Sequence, residues 1–156
     1  MIPSVIKLNN DVLIRKSSRL EASGTLARSA NNLIYLKIDD AYIHHLFPLL
    51  QEKQIKKPNY FGKGLAGAHI SVIYPEEAVQ FDKKDLGTHY NFKIKDLVIA
   101  EINVKKYYVL LVDCPELRQL RNKYGLPDQL NFKNYWIDLH ITIGVSRGKC
   151  LIEPIR

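Results

Sequence analysis

Apolar residues recur along this chain with two periods, and each change of period marks an element. Leu33-Ile-Tyr-Leu-Lys-Ile38 is the near-continuous apolar run of a buried strand. Asp39 or Asp40 then caps a predicted helix, whose apolar positions Tyr42, Ile43, Leu46, Phe47 and Leu50 fall at helical spacing. Pro48 lacks a backbone donor and clashes with the preceding turn, so the pattern predicts a kink there or a restart with Pro48 in a first turn. Tyr90–Val104, where Phe92 and Ile94 alternate with Lys93 and Lys95, predicts a half-exposed strand, and Asn103–Lys106 a turn into a buried strand at Tyr107–Val112. Cys114-Pro115 opens a second helix with Leu117, Leu120 and Tyr124 on its apolar face, Arg118, Arg121 and Lys123 on its outer side, and Gly125 as its stop. A loop through Trp136 is expected to follow. Residues 1–30 carry the weakest pattern: Val12-Leu-Ile14 predicts a short strand, and Ser17–Ala30 a loop or flap.

Two further stretches alternate strictly. In Ala68-His-Ile-Ser-Val-Ile-Tyr74, a strand would set His69, Ser71 and Ile73 on one face and Ala68, Ile70, Val72 and Tyr74 on the other. In Asp138-Leu-His-Ile-Thr-Ile-Gly-Val145, His140, Thr142 and Gly144 would oppose Leu139, Ile141, Ile143 and Val145. Each stretch presents an imidazole beside a hydroxyl on one face and an apolar backing on the other. Each also follows the same order of elements: strand, helix, connector, His strand. Two copies are too few for a solenoid, but they suit a pair of lobes whose His strands meet at a groove.

Composition narrows the setting. The chain has 156 residues, 46% of them apolar and 25% charged, which suits one globular domain spanning 1–156 with a sizeable core. No apolar run approaches a membrane span, and the N-terminus lacks a basic start followed by an apolar block, so a cytoplasmic protein without a membrane partner is expected. Cys114 and Cys150 lack CxxC spacing and suit reduced thiols, although one bridge between them is compatible with the sequence. A net charge of +7 favours polyanionic partners without saying which.

Two histidines of ordinary pKa near 6.5 suit concerted proton transfer around neutrality, one as base and one as acid. The hydroxyls of Ser71 and Thr142 would donate to the non-bridging oxygens of a phosphate as charge builds there. A phosphodiester fits between such faces. The same residues admit two other readings: a non-catalytic RNA- or nucleotide-binding cleft, and a metal-assisted hydrolase with His69, His140 and Asp138 as ligands. Local metal-ligand spacing is absent, and Asp138, two residues before His140, would otherwise orient the imidazole or be solvated. Phe61-Gly-Lys-Gly-Leu-Ala-Gly67 is a glycine-rich approach to the first His strand but not a Walker loop; Lys63 within it would reach a phosphate. His44 and His45, on the first helix, read as solvated or core-edge residues.

The doubled His69-Ile-Ser71 and His140-Ile-Thr142 pattern, each half after a strand-and-helix unit, resembles the 2H phosphoesterase superfamily, which includes RNA 2′,3′-cyclic phosphodiesterases and 2′-5′ RNA ligase-like enzymes. The resemblance covers roughly residues 31–145. It implies a bilobal, pseudo-symmetric α+β fold, with two antiparallel sheets flanking a central cleft and helices outside. It implies metal-independent cleavage of a cyclic or 2′-5′ phosphodiester without a cofactor, by a monomer acting on RNA termini or small nucleotides in RNA processing or repair. His69 and His140 would be the acid–base pair, and Ser71 and Thr142 the phosphate-binding hydroxyls. Ser71 stands where threonine is commoner, and serine keeps the donor. Tyr60, Tyr74, Tyr135 and Trp136 are candidates for stacking on a base.

Overall fold

The computed structural model describes residues 4–132 and 134–147 of the chain. Strand β1 (Ser4–Lys7) leads into helix α1 (Asp11–Ser17), so the apolar triplet Val12–Ile14, which predicts a strand, is helical. Local capping explains the difference: the Asn10 side chain accepts from the Leu13 amide at 3.0 Å, and Leu13 is fully buried while Val12 faces solvent. The stretch read as a loop contains strand β2 (Ser23–Arg28), anchored by buried Gly24 and Leu26.

From β3 (Ile34–Lys37) the chain follows its apolar pattern more closely. Helix α2 (Ala41–His44) is a single turn, after which a 3-10 turn at Phe47–Leu50 restarts the chain with Pro48 near its beginning. Asp39 accepts from the Ala41 amide at 2.9 Å; Asp40 instead accepts from the Ala68 amide at 3.0 Å and so ties this turn to the next strand. That strand is β4 (His69–Ile73). Short β5 (His89–Asn91) precedes β6 (Lys93–Ile102) and β7 (Lys105–Asp113), joined by a turn in which Asn103 takes a left-handed φ of 58°. Helix α3 (Pro115–Lys123) follows, then a hairpin of β8 (Leu130–Phe132) and β9 (Tyr135–Ile137) where the sequence pattern predicts only a loop. Strand β10 (His140–Arg147) ends the described part.

The fold is α+β with an antiparallel sheet and few helices. Eight strands join in one sheet, in the order β1-β6-β7-β10-β4-β3-β2-β5, rather than in the two separate sheets the resemblance implies. The halves meet at β4 and β10, the two His strands, which share the register pair Ile70–Ile141. Carried one residue either way, that register sets His69 beside Thr142 and Ser71 beside His140. Ile70, Val72, Ile141, Leu97 and Leu110 point to a core shared with Leu13, Tyr42, Ile43 and Leu117 of the three helices. The histidines and hydroxyls occupy the opposite face.

Strict alternation fails at one position in each His strand. Between β3 and β4 the partners step from Tyr35–Ser71 to Ile34–Ile73, leaving Val72 as a bulge; between β7 and β10 they step from Val109–Thr142 to Tyr108–Gly144, leaving Ile143 as a bulge. Both bulges stand three residues after the histidine. A bulge turns the following residues to the other face. Ile73 therefore joins the core, Tyr74 swings to the side of His69 and Ser71, and Gly144 turns inward, where a Cβ would meet Ile55 and Leu50 at 2.8 Å.

Arg121 also departs from its expected place on the outer side of α3. It follows Leu117 by four residues and lies on the buried face with Leu120, completely shielded from solvent. Its guanidinium donates to both carboxylate oxygens of Glu77, at 2.8 and 2.7 Å, and to the carbonyls of Pro127, Val72 and Gln129, each at 2.7 Å. The bulge takes the Val72 carbonyl out of the ladder, and a buried acceptor must find a donor elsewhere. Arg121 supplies it.

Cys114 is a buried free thiol 3.3 Å from the Asn91 carbonyl, and its burial raises its pKa; Cys150 lies outside the described residues. Among the described residues no helix is long and apolar enough to cross a membrane.

Candidate active site

The sheet face opposite the helices forms a cleft of about 320 Å³. His69, Ser71, His140 and Thr142 lie together on its floor because β4 and β10 are neighbours and both motifs keep their period of two up to the bulges. Tyr60, Tyr74 and Trp136 line it as well. Tyr135 does not: it pairs with Phe132 in the hairpin, and the lining residues of that strand are Trp136 and Ile137. Lys63 sits exposed in the glycine-rich turn, outside the cleft.

Each imidazole is held the same way. His69 Nδ1 lies 2.7 Å from the Gly67 carbonyl, and His140 Nδ1 lies 2.7 Å from the Asp138 carbonyl. A carbonyl only accepts, so Nδ1 carries the proton in both rings and Nε2 is the nitrogen left for chemistry. Asp138 therefore orients His140 through its backbone; its carboxylate accepts from Gln129 at 3.0 Å. Gly67 has a φ of +67°, and a Cβ there would stand 2.5 Å from Asp40 Oδ1 and 2.6 Å from Lys37 Nζ. The loop can bring its carbonyl under His69 because this residue has no side chain.

Aromatic rings fix His69 further. Tyr60 meets it edge-on with centroids 4.6 Å apart, and Tyr35 does so at 5.6 Å. Tyr60 also bonds to the Thr142 hydroxyl and Tyr74 to that of Ser71, so each phosphate-binding candidate has a phenol partner; burial raises the pKa of both tyrosines and keeps them protonated. Over the cleft, Phe132 packs against Tyr74 at 5.4 Å and Tyr107 at 6.3 Å. The far wall is the cleft-facing row of β6 and β7: Val98, Ala100, Ile102, Val109 and Leu111.

Burial lowers the pKa of His69 below its ordinary value, and nearby Lys37 adds to the effect although the Gly67 bond opposes it. Burial likewise lowers His140, opposed by its bond to Asp138, and the neighbouring His69 lowers it further. Because His69 lowers His140, the two imidazoles resist carrying charge together.

Sequence reasoning alone does not find Phe132, Tyr107, Gln129 or the apolar wall. The alternation of Tyr107, Val109 and Leu111 along β7 is a signal for the wall, since a strand next to β10 shares its faces. Nothing local signals Phe132, which reaches the cleft only because the hairpin folds over it. Among the described residues, no group of three or more His, Cys, Asp or Glu side chains is placed to hold a metal ion.

The chain matches the family model described as Swiss Army Knife, 2H phosphoesterase domain, over residues 34–150. No curated protein and no solved structure matches it significantly. The matched span runs from β3 through both His strands and covers most of the chain, which therefore belongs to the 2H phosphoesterase family, with a general function of the phosphodiesterase type.

Proposed function

We propose that the protein hydrolyses 2′,3′-cyclic phosphate or 2′-5′ phosphodiester linkages, at RNA ends or in small nucleotides, by two-histidine acid–base catalysis that needs no metal. The observation that carries this reading is the matched pair of imidazoles: both are held at Nδ1 by the carbonyl two residues earlier, both line one cleft, and each stands beside a hydroxyl of the other strand. Pre-set tautomers and positions are what general acid–base catalysis requires.

In the reaction, neutral Nε2 of one histidine takes a proton from water as its oxygen attacks phosphorus. The protonated histidine gives its proton to the leaving ribose oxygen, so that the P–O bond breaks without expelling an alkoxide. Ser71 and Thr142 donate to the non-bridging oxygens as negative charge gathers there. Their phenol partners, Tyr74 and Tyr60, orient the hydroxyls. A phosphate anion in the cleft offsets the burial that disfavours imidazolium and so restores the acid. In this mechanism two lobes related by a pseudo-two-fold axis through Ile70–Ile141 each contribute one half of the site, with a bulge at the same motif position in each.

The test is hydrolysis of a 2′,3′-cyclic mononucleotide, a cyclic-phosphate-ended RNA and a 2′-5′ oligoadenylate by wild type, His69→Ala and His140→Ala, with and without chelator. Turnover by the wild type in chelator, lost in both variants by a factor of about 10² or more, is expected. Equal rates in all three proteins would overturn the reading, and loss in chelator would move it to a metal-assisted hydrolase.

A further inference from the structure

The cleft has no lysine or arginine among its described lining residues, yet the chain carries +7. Part of that excess lies just outside. A second hollow of about 550 Å³ is lined by Lys56, Lys57, Lys105 and Arg147, with Gln54, Asn59 and Ser146 between them, and among the described residues by no carboxylate. It shares Tyr60 and Tyr107 with the cleft, so the two are continuous: Tyr60 makes a T-shaped contact with His69 and also lines the basic hollow. The cations come from three directions. Lys56 bridges to Val145 beside β10, and Lys105 and Arg147 are register partners on β7 and β10. All are exposed, and among the described residues none is in an ion pair, though Lys57 approaches His44 Nδ1 at 3.0 Å. Like charges on paired strands cost stability unless something neutralises them.

The opposite exit differs. Past Gln129 and Trp136 the adjoining hollows are lined by Glu76, Glu77 and Asp128, and Asp138 stands at the cleft itself. Arg121 neutralises Glu77 only. The field therefore runs from acidic at the Trp136 end to basic at the Tyr60–Tyr107 end.

Resting on the phosphodiesterase reading, we infer that the Lys56–Lys105–Arg147 groove is a backbone track for single-stranded RNA, which enters from this side only and presents its terminal linkage to the histidines. A cleft with no cation among its described lining residues suits one phosphate and its base. Further phosphates need the groove, where Tyr60 and Tyr107 supply the aromatic faces that distinguish a nucleic-acid track from a patch for acidic peptides. The carboxylates at the Trp136 exit repel a strand that would run on, so the reacting linkage is terminal.

The test compares wild type with Lys56→Gln/Lys105→Gln/Arg147→Gln on a 2′,3′-cyclic mononucleotide and a short single-stranded RNA ending in a cyclic phosphate. The ratio of kcat/KM for the RNA to that for the mononucleotide is expected to fall roughly ten-fold or more. RNA binding is also measured by fluorescence anisotropy in a His69→Ala/His140→Ala background, where the triple substitution should flatten the slope of log K against log salt by about 2. If neither substrate is turned over but this slope still changes, the catalytic reading fails and the track stands. An unchanged ratio and slope would overturn the track, as would polyglutamate competing as well as RNA does.

Discussion

Ile70 and Ile141 face each other across the register pair that joins β4 to β10, and each directly follows a cleft histidine. This one pairing brings the two halves of the site together. Through it His69 lies beside Thr142 and His140 beside Ser71, so each imidazole stands next to a hydroxyl from the other half of the chain. Tyr60, which touches His69 and bonds Thr142, spans the junction.

Thr142→Val keeps shape and removes the donor. In the proposed mechanism it should lower kcat by about 10²–10³ while barely changing KM, because the hydroxyl acts mainly on charge that develops in the transition state. Thr142→Ser should restore most of the rate, as Ser71 already serves in the other strand. Steady-state kinetics on a 2′,3′-cyclic mononucleotide separate the two variants.

Both histidines hold protons less tightly in the folded protein than the usual value near 6.5. The protonated acid is therefore lost from the free enzyme at a pH below about 6.5, and the kcat/KM profile should peak on the acid side of neutrality. Lys37 lowers His69, so Lys37→Met should move one limb of the profile to higher pH.

The same shifts set a stability trend. Below about pH 6.5 the unfolded chain binds protons that the folded imidazoles refuse, so this contribution is complete above that pH and is lost as pH falls toward the folded values. Urea midpoints should drop between about pH 7.5 and about pH 5.5, and His69→Gln should flatten the drop.

Arg121→Met should destabilise the fold by about 3–5 kcal/mol, because it leaves the buried Glu77 carboxylate without its counter-charge and the buried Val72 carbonyl without its donor. Arg121→Met/Glu77→Gln should recover part of that loss. Thermal or urea unfolding of the single and double variants measures both.

Gly67→Ala combines a left-handed φ of +67° with a Cβ driven into Asp40 and Lys37. It should cost roughly 1–3 kcal/mol and, by displacing the carbonyl that holds His69 Nδ1, reduce kcat more than a surface change of equal destabilisation would. Imidazole nitrogen chemical shifts would report the altered tautomer directly.

What the sequence determined by itself is local and periodic. The His-x-Ser and His-x-Thr doublets are legible because a strand's period of two lies within a few residues, and the helix at Pro115 is legible from its own start and stop. Val12–Ile14 misleads because three apolar residues fit either element, and it was the Asn10 cap that decided for helix. The tertiary structure decided the rest. It chose β10 as the neighbour of β4, folded the β8–β9 hairpin over the cleft, buried Arg121, and turned Tyr74 into the site at a bulge. Each of these depends on partners far along the chain: Val72's carbonyl is freed by its pairing with β3 and satisfied from α3, forty-nine residues away. Local periodicity carries no record of such pairings, because which buried polar group finds which donor is settled only when the whole sheet closes.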